Sequence, residues 1–213
     1  MHAHLLMYVA VLWISLAAHE IAHCRMLDHL GDHTPIEEGR LTWLPHKHLS
    51  VWGSLLVPAA LLLLTSGSFL VMWAKPVHYR PGSMTMREPF ATILVKLAGP
   101  AADALIAAVA WVALALLPHD IPFLAWRTLV AVLEVNVVLF LFNMLPVPPL
   151  DGGAIWLLAP IPVRLREVGA LIAAAALLTV VVGLPLVTAQ NPFGEMAHHV
   201  VGSALDLAMD GRL

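Results

Sequence analysis

Four stretches of this chain, about 4–24, 91–117, 127–146 and 168–188, are each about 20 residues or longer and overwhelmingly apolar. A helix needs about 20 such residues to cross the hydrocarbon core of a bilayer, so each stretch predicts a membrane-spanning helix. Composition agrees. Of 213 residues, 60% are hydrophobic and 12% charged, against about 25% charged in a soluble domain. The expected architecture is an all-α polytopic membrane domain over residues 1–193, with residues 194–213 as a short surface helix or tail. The first stretch lacks the basic start of a secretory signal and runs into His19, Glu20 and His23, so it is read as a retained helix. A net charge of -3 gives no reason to expect a nucleic-acid partner, and the single cysteine, Cys24, excludes an intramolecular disulfide.

A fifth apolar stretch, 51–73, is broken by Gly53, Pro58 and Thr65-Ser66-Gly67-Ser68, and reads as a poor span, a hairpin or a re-entrant segment. Loop charge narrows the choice. Lys and Arg occur in 25–50 (Arg25, Arg40, Lys47), in 74–96 (Lys75, Arg80, Arg87, Lys96) and in 159–167 (Arg164, Arg166), but not in 118–126. Basic loops stay in the cytoplasm, so the first two share a side and 51–73 crosses an even number of times. Asp151 then lies at the same membrane face as His19 and His23.

His19-Glu20-Ile21-Ala22-His23 has two histidines four apart, which a helix places on one face so that both imidazoles reach one zinc ion. Glu20 stands beside that ion, placed to take a proton from an attacking water and pass it to a leaving amine. Two histidines and a glutamate are costly in an apolar helix, and such residues default to function; the plain alternative is a solvated helix end. A catalytic zinc needs a third protein ligand. Asp151, in Pro146-Val147-Pro148-Pro149-Leu150-Asp151-Gly152-Gly153, fits at matching depth, although Pro-Pro and Asp-Gly also mark ordinary turns.

Together these motifs resemble the site-2 protease family of intramembrane zinc metalloproteases, in its compact branch without a PDZ domain. Also similar are Gly31-Asp32-His33-Thr34-Pro35, Gly39-Arg40-Leu41-Thr42, Leu44-Pro45-His46-Lys47-His48, Ala74-Lys75-Pro76-Val77, Ala98-Gly99-Pro100 and Phe142-Asn143-Met144-Leu145-Pro146. The resemblance implies His19, His23 and Asp151 as zinc ligands, Glu20 as catalytic base, and a three-helix catalytic core of 4–24, 91–117 and 127–146. A re-entrant or hairpin segment and one further C-terminal span complete the expected fold. The implied activity is hydrolysis of a peptide bond in or near the membrane span of another protein, in the cell membrane of a prokaryote, with the site toward the cytoplasm. The alternatives are a non-proteolytic zinc-binding scaffold or sensor on the same fold, and a metal transporter.

Three positions depart from the family pattern: Asp103 where Asn is frequent, Ala154 where a larger polar residue is common, and Cys24 where a small residue is usual. A carboxylate at 103 alters a hydrogen bond near the site or is protonated. Asn143 is a candidate stabiliser of the scissile carbonyl, or equally a helix-end residue bonding loose carbonyls. Glu134 is expected at a polar cavity or the outer interface, and Cys24 packed rather than ligating. His46 and His48, near the mouth in the polar loop, are candidates for metal entry or substrate binding, with an ordinary surface place the favoured reading; His2, His4, His198 and His199 read as surface residues. The turn at 74–77 is a candidate edge for pairing with an unwound substrate.

Overall fold

The computed structural model describes residues 2–64, 72–80, 82–118, 121–183 and 192–210. The long helices are α1 (His2–His29), α5 (Phe90–Leu116), α6 (Phe123–Asn143), α7 (Val163–Leu178) and α8 (Pro192–Asp210). Between α1 and α5 lie the single turns α2 (Thr34–Glu37) and α3 (Pro45–His48), then a π-helical turn over Val51–Leu56 that continues as α4 (Val57–Leu64). A 3-10 helix, Asp151–Leu158, links α6 to α7. Among the described residues there is no β-strand, and a single isolated bridge pairs Leu49 with Ala74 antiparallel. Four helical segments are long and apolar enough to cross a membrane: Leu5–His29, Phe90–Leu116, Phe123–Asn143 and Val163–Gly183. The chain is therefore a polytopic all-α membrane protein.

Three of the four pack as the core. Val11 and Leu16 of α1 meet Ala131, Val135 and Leu139 of α6. Leu27 and Leu30, at and just beyond the end of α1, meet Ala91 and Val95 of α5. Ala107, Ala110 and Leu114 of α5 meet Val130 and Leu133 of α6, with Val201 of α8 in the same cluster. Small residues at these crossings let the backbones approach, which is the main source of helix attraction once lipid surrounds both partners. By contrast, α7 buries none of its residues, as a helix with its sides to lipid would.

Helix ends differ from the sequence reading by a few residues. α6 begins at Phe123, directly after Pro122, rather than at 127, and stops at Asn143, three residues before Pro146. α5 begins at Phe90, so Lys96 stands inside the helix rather than in a loop. α7 begins at Val163 instead of 168, which puts Arg164 and Arg166 in its first turn; Arg166 donates to the Ala159 and Ile161 carbonyls at 3.3 and 3.2 Å. Residues 184–188 of that expected span lie outside the described residues. Extended backbone at X-Pro bonds moves such boundaries.

The stretch 51–73 leaves and returns at one place. Lys75 N–H donates to the His48 carbonyl at 2.6 Å, Trp73 N–H to the Gly53 carbonyl at 3.1 Å, and Ser54 Oγ to the Trp73 carbonyl at 2.7 Å. Gly53 is needed here, because a Cβ would come within 2.3 Å of the Trp73 indole. At about 1.5 Å per residue, Val51–Leu64 reaches about 20 Å, short of the roughly 30 Å of a full crossing. The two ends of 51–73 therefore meet, as a re-entrant or hairpin segment requires.

Beyond α1 the chain turns at Gly31, whose φ of 97° favours glycine. Asp32, 1% exposed, accepts from Thr34 N–H (2.9 Å), Arg80 N–H (2.7 Å) and Ser83 Oγ (2.7 Å). Burial pushes this carboxyl up, but the hydrogen bonds from Thr34, Ser83 and Arg80 outweigh it and hold the group down at about 2. Asp32 thereby fastens the loop after α1 to the segment leading into α5.

Candidate metal centre

α1 carries His19, Glu20 and His23 within its last three turns, with His19 4% and His23 6% exposed. The Pro-rich turn after α6 cannot continue the helix, and it delivers Asp151, 6% exposed, to the same place. Glycine makes that turn possible: a Cβ on Gly152 would lie 2.5 Å from the Leu145 and Met144 carbonyl oxygens.

The three side chains form a nearly equilateral triangle. His19 Nε2 is 3.0 Å from Asp151 Oδ2 and 3.0 Å from His23 Nε2, and His23 Nε2 is 3.2 Å from Asp151 Oδ2. A tetrahedral zinc with bonds of about 2.0–2.1 Å separates its ligands by roughly 3.3–3.4 Å. The donors present therefore fit such an ion with shifts of a few tenths of an ångström. Each histidine has its other nitrogen engaged: His19 Nδ1 lies 2.7 Å from Asp103 Oδ2, and His23 Nδ1 is 2.6 Å from the Val95 carbonyl oxygen. These contacts leave both Nε2 atoms facing the centre of the triangle, the arrangement that metal-binding histidines show. Lys96 Nζ donates to the other Asp151 oxygen, Oδ1, at 3.1 Å. Gly99 forms the floor, where a Cβ would sit 2.5 Å from both Nε2 atoms.

Glu20 stands next to the triangle. Its Oε2 is buried with no hydrogen-bond partner, 3.6 Å from a guanidinium nitrogen of Arg40. Arg40, 2% exposed, donates in turn to the Lys75 and Pro76 carbonyls at 2.6 and 3.2 Å. All of this opens on a cleft of about 400 Å³, walled by Met72, Trp73, Ala74, Pro76 and Val77 on one side and by Leu139, Phe142 and Asn143 on another. The cleft is mostly apolar, with its polar groups gathered around the triangle.

Among the described residues, His19, His23 and Asp151 are the group whose donor atoms lie close enough together to share an ion. Asn143 lines the cleft, and its Nδ2 donates to the Leu139 carbonyl at 3.0 Å. Glu134 lies away from the triangle, accepting from the Tyr8 hydroxyl. Cys24 is fully buried and free. His46 is exposed, whereas His48, expected at the surface, is fully buried with Nε2 donating to the Thr42 carbonyl. The side chains of His2 and His4 lie outside the described residues, and His198 and His199 are exposed on α8.

Sequence reasoning missed Lys96, Arg40 and Gly99. Lys96 offered a signal, because a charge within an apolar span asks for a partner. Arg40 offered only its place after Gly39, and Gly99 only its place before Pro100.

This chain is 33% identical over 158 residues to a Bacillus subtilis (strain 168) protein named "Putative zinc metalloprotease YwhC". The similarity covers 68% of this chain and 64% of that relative, so the chain spans somewhat less than two thirds of the relative's length. No protein-family profile matches, and no solved structure matches.

Proposed function

We infer, from the premise that this chain belongs to the site-2 protease family, that it is a zinc endopeptidase cutting other proteins within or beside their membrane spans. The observation that carries the reading is the triangle of His19, His23 and Asp151, with edges of 3.0–3.2 Å, beside a Glu20 carboxylate whose Oε2 faces Arg40 at 3.6 Å but accepts no hydrogen bond, at the base of a peptide-sized cleft.

Zinc, when bound, supplies Lewis acidity and brings the pKa of a water down to about 7. The chain's own residues do the rest. Glu20 Oε2 receives the proton of the attacking water and returns it to the departing amine nitrogen. Arg40 holds Glu20 against the Lys75-Pro76 backbone, so the base and the cleft wall keep one spacing. The apolar cleft accepts an unwound stretch of membrane helix, and on its wall the Ala74 and Val77 backbone groups are left for it to pair with, those of Trp73, Lys75 and Pro76 being bonded within the chain. Asn143 serves first at the helix end, where its amide satisfies the Leu139 carbonyl; stabilising a scissile carbonyl requires that amide to turn toward the cleft. The basic residues between α1 and α5, Arg40, Lys47, Lys75, Arg80 and Arg87, support a site toward the cytoplasm, and the cell membrane of a prokaryote is the proposed location. Substrates are membrane proteins with a helical span. A zinc scaffold or sensor has no use for a glutamate beside the ion with an oxygen free of hydrogen bonds, and a transporter pathway would spread its ligands through several depths.

The test is incubation of the purified protein, in proteoliposomes, with a single-span helical substrate. Cleavage within or next to the span, lost on chelation and restored by zinc, is expected. Cleavage indifferent to chelator, or no cleavage of any such substrate by the zinc-loaded protein, contradicts the reading.

A further inference from the structure

Over Phe90–Leu116, α5 carries two charged residues, Lys96 and Asp103. Seven positions separate them, which is two helical turns and so the same face. Each reaches a different corner of the triangle. Asp103, fully buried, has Oδ2 2.7 Å from His19 Nδ1, while its Oδ1 has no partner. Lys96, with its side chain 40% exposed, donates from Nζ to Asp151 Oδ1 at 3.1 Å. Between them, the Val95 carbonyl takes the remaining corner through His23 Nδ1 at 2.6 Å. α5 supplies no ligand, yet every ligand leans on it.

We propose that α5 is the template of the zinc site, with Asp103 and Lys96 as positioning residues that brace it from opposite sides; this rests on the reading that the triangle holds zinc. By accepting from His19 Nδ1–H, Asp103 fixes the tautomer in which Nε2 offers its lone pair to the centre. By occupying Asp151 Oδ1, Lys96 leaves Oδ2 as the oxygen presented to the histidines and to an ion between them. Val95 does for His23 what Asp103 does for His19, but with a neutral carbonyl, so the two imidazoles are held unequally. A charge in an apolar span is costly, and neither residue has another partner among the hydrogen bonds and ion pairs described. Had they served helix packing alone, their polar atoms would meet α1 or α6 away from the ligands, as Asn136 meets Ser15.

The experiment uses the full chain in detergent micelles, reading zinc affinity by competition with a chromogenic chelator and ligand geometry from the absorption bands of the cobalt(II)-loaded protein. Asp103→Leu is expected to weaken zinc binding about 10- to 100-fold, the usual effect of removing a partner of a metal ligand, and to shift the cobalt bands. Asp103→Asn, whose amide oxygen still accepts from Nδ1–H, recovers part of the loss, and Lys96→Met gives a smaller loss with the melting temperature of the metal-free protein unchanged. Asn136→Leu, a buried change away from the ligands, lowers that melting temperature but leaves affinity and bands as in the unsubstituted protein. Wild-type affinity and bands in both Asp103→Leu and Lys96→Met overturn the bracing. Should Asp103→Leu not fold, Asp103→Asn and Lys96→Met decide: shifted bands in either support it, and unshifted bands in both overturn it. If the unsubstituted chain takes up no zinc, the functional reading falls and the bracing falls with it.

Discussion

Two polar stretches of the same helix, α1, behave differently. In its first half the Tyr8 hydroxyl meets Glu134, and Ser15 Oγ accepts from Asn136 Nδ2 at 2.9 Å, both partners lying on α6. At its end His19, Glu20 and His23 face a space shared with Asp151. Both stretches place polar groups in an apolar span. The first set bonds pairwise from helix to helix, with Asn136 Oδ1 left over, which is how membrane proteins use polar groups as glue. The second set converges: three donor atoms crowd within 3.2 Å, and a neighbouring carboxylate oxygen is left without a hydrogen bond. Paired polar groups hold helices together, whereas convergent ones wait for a cation and a substrate.

The contrast breaks most sharply at Gly99. Gly99→Ala puts a methyl where both Nε2 atoms point, so zinc affinity should fall by about 100-fold or more and cleavage with it, while circular dichroism stays that of the unsubstituted protein. A Gly99→Ala protein that keeps its zinc contradicts the geometry of the triangle. Asn136→Ala should do the reverse, costing about 1–2 kcal/mol of unfolding free energy for the interhelical bond and the space left behind, with zinc content unchanged; loss of zinc would mean the two stretches are coupled.

A smaller effect concerns neither stretch but the loop after α1. Because Asp32 is held at about 2 instead of its ordinary 3.8, the folded state gains stability that is complete above pH 4. That gain is lost as pH falls from about 4 to about 2, and amounts to about 2 kcal/mol at most. In Asp32→Asn, unfolding free energy should lose the part of its pH slope that Asp32 contributes over that window; an unaltered slope removes the assigned role.

What could be read beforehand follows from range. The spans were legible because bilayer thickness sets helix length, and the histidine pair because four residues make one turn. Asp151 lies 128 positions beyond His23, and loop charge together with family resemblance was needed to bring it to the same face. The return of 51–73 was legible for the same reason, since charge on both flanks reports a side. Lys96 counted as a loop charge because the start of α5 was drawn one residue late and its flanking loop was carried to 96. His48 counted as surface because nothing local announces that the Thr42 carbonyl will cover it. Asp103 stood out as a departure from a pattern, but its contact with His19 depends on the packing of α5 against α1, which no spacing within either helix discloses.

The claim that convergence at the end of α1 makes a hydrolytic zinc site is tested most directly by Glu20→Gln, with zinc content and cleavage of a helical membrane substrate measured on the same preparation. The account predicts one zinc per chain, as in the unsubstituted protein, and cleavage reduced by at least about 100-fold. Undiminished cleavage by the zinc-loaded variant would contradict it.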